Sequence, residues 1–205
     1  MIFGKKDYYR GDFLDGMKHG TGEHHLPTGT IWKGEWKYNK MNGNGRVTWV
    51  NGASYNGEFK NDQFHGKGTL NSIDGVTYVG NWENHLKHGL GLEMNSEFSE
   101  TSGFKRNGSW RYGEFYLGEE RKNGVHYQGE FKCGLYNGKG SLRDGDGSVW
   151  IGNWVNGVMV GQGEVRSNQK TMLKGTFTKV DIVSKNMKCC VERKNNVADP
   201  LELTE

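Results

Sequence analysis

The sequence predicts an all-β fold: an elongated, single-layer antiparallel β-meander built from 23-residue hairpin repeats. Three observations predict it. Gly11, Gly34, Gly57 and Gly80 are spaced 23 residues apart, and Gly129, Gly152 and Gly175 resume the same step. Large side chains stand two positions before each of these glycines (Tyr9, Trp32, Tyr55, Tyr78, Tyr127, Trp150, Leu173) and two positions after it (Phe13, Trp36, Phe59, Trp82, Phe131, Trp154, Phe177). A second glycine pair recurs in each unit, at Gly20/Gly22, Gly43/Gly45, Gly66/Gly68, Gly89/Gly91, Gly138/Gly140 and Gly161/Gly163. A fixed period of this size marks an array of small units that lean on their neighbours.

Composition fits an array. Glycine supplies 33 of 205 residues, about twice the usual share, and only 33% of residues are hydrophobic, too few for a thick two-layer core. Disorder is the competing reading of low hydrophobicity, but aromatic content of 12% and only two prolines argue against it. The net charge of +3 is spread over 27 basic and 24 acidic residues without long runs, which gives no electrostatic case for nucleic acid. No apolar stretch approaches the length of a spanning helix, and residues 1–7 carry no signal-peptide core. The three cysteines, Cys133, Cys189 and Cys190, lack framework spacing and point to reduced thiols in the cytoplasm.

Taken in order, residues 1–8 supply an N-terminal capping strand, and residues 9–94 form repeats 1 to 4. In the unit beginning at Tyr55, Tyr-Asn-Gly-Glu-Phe-Lys alternates as a half-exposed strand. A short polar loop follows, and Gly66-Lys-Gly68-Thr-Leu70 alternates again. Asp74-Gly75 suits a two-residue hairpin turn, as do Thr28-Gly29, Asn51-Gly52, Asn123-Gly124 and Asp146-Gly147. Glycines weaken strands unless something needs the space. Aromatics of one strand lying flat across glycines of the next would supply that reason, with Val47, Leu70, Leu142 and Val165 completing the same face. Eight such units would extend roughly 75 Å at the spacing of antiparallel strands.

The run Tyr-x-Gly-x-Trp/Phe, followed by Gly-x-Gly and Asp/Asn-Gly, resembles the MORN repeat (membrane occupation and recognition nexus). Six units match well, beginning at Tyr9, Trp32, Tyr55, Tyr78, Tyr127 and Trp150; a degenerate unit lies near Trp110 and a truncated one starts at Leu173. The resemblance covers about residues 3–178 and implies an open β-ribbon. Such repeats occur in radial-spoke proteins of cilia, membrane-junction proteins, lipid kinases and a histone methyltransferase, so the resemblance specifies fold far better than function.

The array breaks once. Gly80 and Gly129 are 49 residues apart, three more than two periods. Residues 95–107 read as an insertion and 108–126 as a shortened, degenerate repeat, in which Gly113 and Gly118 fall off the spacing. The insertion is either a tolerated surface loop or a partner-specific protrusion. Residues 127–178 hold repeats 6 and 7 and a truncated eighth. Residues 179–193 form a C-terminal capping hairpin over the open edge, and 194–205 a flexible tail.

Catalytic chemistry finds no foothold. His19, His65 and His88 share a column whose members lie about 10 Å apart in adjacent repeats, too far for one zinc ion. His24 and His25 point to opposite faces. Asp12, Glu35, Glu58 and Glu130 stand one per repeat, beyond the roughly 5–9 Å of paired acid–base work. The Gly-x-Gly runs open no helix and cradle no phosphate. No catalytic, cofactor-binding or metal residues are assigned, and no cofactor is expected.

The expected function is that of a non-enzymatic interaction scaffold. It would hold a protein partner, a peptide or helix segment, along the aromatic face formed by Trp32, Trp36, Tyr55, Phe59, Tyr78 and Trp82. A second candidate surface is an apolar loop edge carrying Met41, Phe64, Leu86, Tyr136 and Met159, residues that either line the edge or tuck down over the strand glycines. The resemblance implies a cytoplasmic, cytoskeletal or ciliary assembly, with self-association as a further option. The alternative is a peripheral adaptor for acidic phospholipid, which would need a basic stripe that the balanced charges do not predict.

Overall fold

The computed structural model describes residues 7–99, 101–167 and 170–180. Inside each repeat the chain reverses over two residues. At Asn61-Asp62 both φ angles are positive, 51° and 70°, the geometry whose twist matches that of the flanking strands. The same turn forms at Asp15-Gly16, Tyr38-Asn39, Asn84-His85, Tyr112-Gly113, Cys133-Gly134 and Asn156-Gly157. Asn, Asp and His tolerate left-handed backbone better than most residues, so several of these turns need no glycine. The expected polar loop after Lys60 is therefore absent, since Gln63, Phe64 and His65 already belong to a strand.

The Asx-Gly dipeptides serve a different turn, the wider one between repeats. Ser72 donates its amide to the Val76 carbonyl at 2.8 Å, and Gly75 donates to the Ser72 carbonyl. Only Gly75 adopts positive φ there, and the Asp74 carboxylate accepts the Val76 amide instead. Asn123-Gly124 alone behaves as expected, with both residues at positive φ. That two-residue link, together with a tighter hairpin bulge that sets Gly118 10 positions after Gly108 where Gly68 stands 11 after Gly57, shortens the fifth repeat.

Among the described residues fifteen strands result: β1 (Tyr8–Leu14), β2 (Met17–His25), β3 (Ile31–Lys37), β4 (Lys40–Thr48), β5 (Ser54–Lys60), β6 (Gln63–Asn71), β7 (Val76–Glu83), β8 (Leu86–Asn95), β9 (Phe104–Arg111), β10 (Glu114–Lys122), β11 (Val125–Lys132), β12 (Leu135–Arg143), β13 (Val149–Val155), β14 (Val158–Ser167) and β15 (Lys170–Val180). Each pairs antiparallel with the next in one open sheet, with no crossover. Tyr8 opens β1, so it belongs to the first repeat. Residues 1–6 of the expected cap lie outside the described residues. So do the expected capping hairpin and tail, apart from 179–180.

A row of glycines, one per strand, runs across the whole sheet. Gly57 faces Gly68, Gly68 faces Gly80, and Gly80 faces Gly91. The row survives the irregular region because Gly91 faces Gly108, Gly108 faces Gly118 and Gly118 faces Gly129. Gly118 thus belongs to the ladder after all, while Gly113 sits in a turn. The extra length is held in the β8–β9 connection, residues 96–103, rather than in the whole of 95–107.

Aromatic side chains fill one face of the sheet. The buried set includes Trp36, Tyr55, Phe59, Tyr78, Trp82, Trp110, Tyr127, Phe131 and Trp154. The Tyr55 hydroxyl donates to the Glu58 carbonyl at 3.0 Å, which lays the ring across the glycine row. A methyl group on Gly68 would sit 2.3 Å from that hydroxyl oxygen. Indole N–H groups complete the weave: Trp36 donates to Gly22, Trp82 to Gly68 and Trp154 to Gly140. Repeats are joined ring to ring, since Tyr9 meets Trp36, Tyr55 meets Trp82 and Tyr127 meets Trp154 edge-on at 5.4–5.5 Å. Such pairs add to simple area burial and supply a core without a second layer.

Candidate functional site

The structure brings the six aromatic-face candidates together, but mostly as core. Trp36, Tyr55, Phe59, Tyr78 and Trp82 are each at most 5% exposed, so they shape the face without offering area to a partner. Trp32 is the exception. It is half-buried and tilts against Phe59. Trp49, Trp150, Leu70 and Tyr136 are likewise half-buried on this face and packed against the core. Burial raises the pKa values of Tyr55, Tyr78, Tyr127 and Tyr136, with a nearby carboxylate adding to it in each case.

The apolar loop edge is corrected. Met41, Phe64, Leu86, Tyr136 and Met159 lie in strands β4, β6, β8, β12 and β14, not in loops. Met41, Phe64 and Met159 are buried at 0%, 4% and 1% exposure. The Met41 methyl covers Gly45, and the Met159 sulfur packs over Gly152. Phe64 stacks on Tyr55 at 3.8 Å, and Tyr136 stacks on Tyr127 at 3.9 Å. Met41, Phe64, Tyr136 and Met159 act as lids over the tyrosine and glycine rows, whereas Leu86 is half-buried and takes no part in them.

In repeats 1 and 4 the lid is a lysine. Lys18 lies over Trp36 at 4.8 Å and Tyr9 at 5.6 Å. Lys87 lies over Trp110 at 4.7 Å and Tyr78 at 5.1 Å. Burial lowers the Lys18 pKa, partly offset by Asp7 and Asp62. The sequence signal was the spacing, two residues before the bulge glycines Gly20 and Gly89. The apolar residues Met17 and Leu86 stand one position before these lysines.

A second departure lies where repeats 4 and 5 meet. Arg106 occupies the tyrosine column, and Glu93 and Glu120 occupy the column that holds Val47, Leu70 and Leu142 elsewhere. Arg106 bridges both carboxylates, at 3.4 Å to Glu93 and 2.9 Å to Glu120. Lys87 also pairs with Glu93. Both glutamate side chains are under 10% exposed, so each charge depends on its partners. The cluster is internally neutral, with its charges turned toward one another.

The opposite face is polar over most of its length. Glu58 accepts the Lys67 amide at 2.8 Å, and Asp12, Glu35 and Glu130 accept the matching amides of Thr21, Asn44 and Lys139. These carboxylates therefore close the bulge at Gly20, Gly43, Gly66 and Gly138, whose φ values are positive. His19, His65 and His88 sit in strands, not loops; His88 pairs with Glu83 at 3.3 Å. His24 packs against Tyr9 and Trp36, whereas His25 stacks on Tyr8 across the sheet. An aliphatic group that departs from the repeat pattern interrupts this polar face: Val79, Leu90 and Leu117 are 46%, 69% and 46% exposed. Other repeats carry Asn44, Lys67 or Lys139 in the place of Leu90.

A family model described as MORN repeat matches residues 9–31, 32–54, 55–77, 78–94, 127–149 and 150–168. A search of curated proteins found no match. The unmatched stretch between the fourth and fifth matched segments, 95–126, holds the long β8–β9 connection, the shortened repeat, and Arg106 and Glu120 of the charge cluster.

Proposed function

The chain belongs to the MORN-repeat family, whose repeats commonly bind proteins or membranes and whose members are generally non-catalytic scaffolds; from that premise we propose that it is a protein-binding scaffold gripping a partner segment on its aromatic face. The observation that carries this reading is the pairing of the cations on that face. Lys18 is engaged by His24 and two rings, Lys87 by Glu93 and two rings, and Arg106 by two carboxylates. Anionic headgroups are recruited by cations free to meet them. What this face offers instead is half-buried tryptophan, at Trp32, Trp49 and Trp150, an anchor type favoured by protein partners.

The partner is a peptide or helix whose apolar anchors fall at successive repeats, and affinity accumulates over the array. The cytoplasmic, cytoskeletal or ciliary setting is what the family resemblance contributes to the proposal. Affinity purification of the folded chain, followed by identification and direct titration of the recovered partner, tests it. Capture that tolerates salt, alongside weak co-sedimentation with phosphatidylserine vesicles, is the expected result. Tight vesicle binding that collapses at high salt, with no protein recovered, would replace it with the adaptor reading.

A further inference from the structure

Among the described residues β1 is the first strand of the sheet, and no strand pairs with its outer edge. Its aromatic column is also left uncovered. Phe13 is 60% exposed, while its counterparts Trp36, Phe59, Trp82, Trp110, Phe131, Trp154 and Phe177 lie between 1% and 8%. Trp36, Trp82 and Trp154 owe their burial to a tyrosine ring from the unit before, as Tyr9 covers Trp36. Phe13 has no described unit before it. Tyr8 and Leu14 on the opposite face are 50% and 44% exposed.

We infer that β1 pairs with β1 of a second copy, antiparallel, about a two-fold axis passing beside Gly11. The strand reads Tyr8-Tyr9-Arg10-Gly11-Asp12-Phe13-Leu14, and it is self-complementary about its glycine. On the aromatic face the two-fold sets Tyr9 beside Phe13 of the other copy, twice, which covers the outer side of Phe13 from the neighbouring strand, where within the array the covering ring reaches from two strands away. On the polar face it sets Arg10 against Asp12 and Tyr8 against Leu14. Gly11 meets Gly11, continuing the glycine row from one copy into the next. In an interface of this symmetry every contact is made twice, and opposite charges or aromatic pairs directly across an antiparallel ladder stabilise it. Arg10 is exposed and has no ion-pair partner among the described residues. Asp12 commits Oδ2 to the Thr21 amide at 2.9 Å, which leaves Oδ1 for the incoming guanidinium.

The other edge does not share this property. Reflected about Gly175, β15 sets Lys174 against Thr176, so no opposite charges meet. An unpaired edge recruits other strands, and of the first and last described strands β1 is the one that brings opposite charges together when reflected about its glycine.

Sedimentation velocity and hydrogen–deuterium exchange on the full chain, over a concentration series, test the pairing. The expected result is a species of twice the 23.2 kDa chain mass, with β1 amides protected only as it forms. Arg10→Asp sets Asp against Asp12 and should weaken the dimer about tenfold or more, while Lys174→Asp leaves it unchanged. Circular dichroism confirms that both variants fold, and the exchange series on the unaltered chain stands independently of them. A monomer at all concentrations overturns the inference. So does a dimer lost with Lys174→Asp but not Arg10→Asp, which places the contact at β15. Protection of β1 that is the same at every dilution overturns it too, by showing that the chain covers its own edge.

Discussion

The Lys87 ammonium lies 4.7 Å from the centre of the Trp110 ring, the place in the weave that Phe64 fills one repeat earlier against Trp82. A cation replaces a ring without opening the core because the indole face attracts it and Glu93 neutralises it. Lys87→Met keeps the bulk and removes the charge, leaving buried Glu93 to Arg106 alone. Destabilisation of about 1–3 kcal/mol is expected, below the loss for a fully orphaned buried charge. Lys87→Phe combined with Glu93→Leu restores the pattern of the neighbouring repeat and should return stability to within about 1 kcal/mol of the parent. Urea denaturation of the three proteins measures both effects.

Two glycines of one ladder should respond oppositely to the same change. A methyl at Gly68 collides with the Tyr55 ring, whereas at Gly175 nothing lies within 4 Å and φ is not positive. Gly68→Ala is expected to cost about 1–3 kcal/mol through overpacking. Gly175→Ala should be neutral or slightly stabilising, because it restricts the unfolded chain. Thermal midpoints of the two variants decide the comparison.

Alkaline pH should unfold the protein. Tyr55, Tyr78, Tyr127 and Tyr136 have folded pKa values raised above 10.0, first by burial and then by a neighbouring carboxylate. The folded state thus holds protons that the unfolded state releases. Their contribution is complete below about pH 10 and is lost as pH rises beyond it. With the exposed phenols removed by Tyr8→Phe, Tyr38→Phe and Tyr112→Phe, tyrosinate absorbance and circular dichroism followed together from pH 8 to 12 should change in one cooperative step. Gradual ionisation with the fold intact would show that these hydroxyls reach solvent.

Partner capture should depend on the half-buried tryptophans. Trp32→Tyr and Trp150→Tyr install the residue that Tyr55, Tyr78 and Tyr127 already supply in that column, so the fold is kept. Affinity for the recovered partner should fall about three- to tenfold, as expected for trimming a tryptophan anchor. Leu90→Ser on the opposite face should leave it unchanged. The reverse outcome would move the binding site to the Val79–Leu90–Leu117 face.

The ladder made the meander legible because each large side chain sits at a fixed offset from a glycine, and the offset survives in space as register. What stayed hidden depended on neighbours two strands away. Phe64 and Met41 look like loop residues until the turn at Asn61-Asp62 or Tyr38-Asn39 is known to take only two residues. Those turns contain no glycine to announce them. Lys18 and Lys87 look like solvent-facing charges, and only the rings beneath them show otherwise. The spacing from Gly80 to Gly129 carried the correct net excess, but it could not divide that excess between a longer connection before Gly108 and a shorter one after it.

The Arg106 cluster gives the ribbon a means of counting. Most units present the same glycine row and the same ring contacts, so a strand displaced by one whole repeat would find an acceptable surface. Arg106 does not permit the exchange. Shifted by one unit in either direction, its guanidinium would keep one carboxylate and lose the other, lying between Leu70 and Glu93 or between Glu120 and Leu142, with one buried glutamate abandoned behind it. Only one alignment satisfies all three charges, and it lies at the single place where the chain departs from its own period. The irregular repeat thus works as a notch on an otherwise unmarked ruler, telling a folding chain which unit is which.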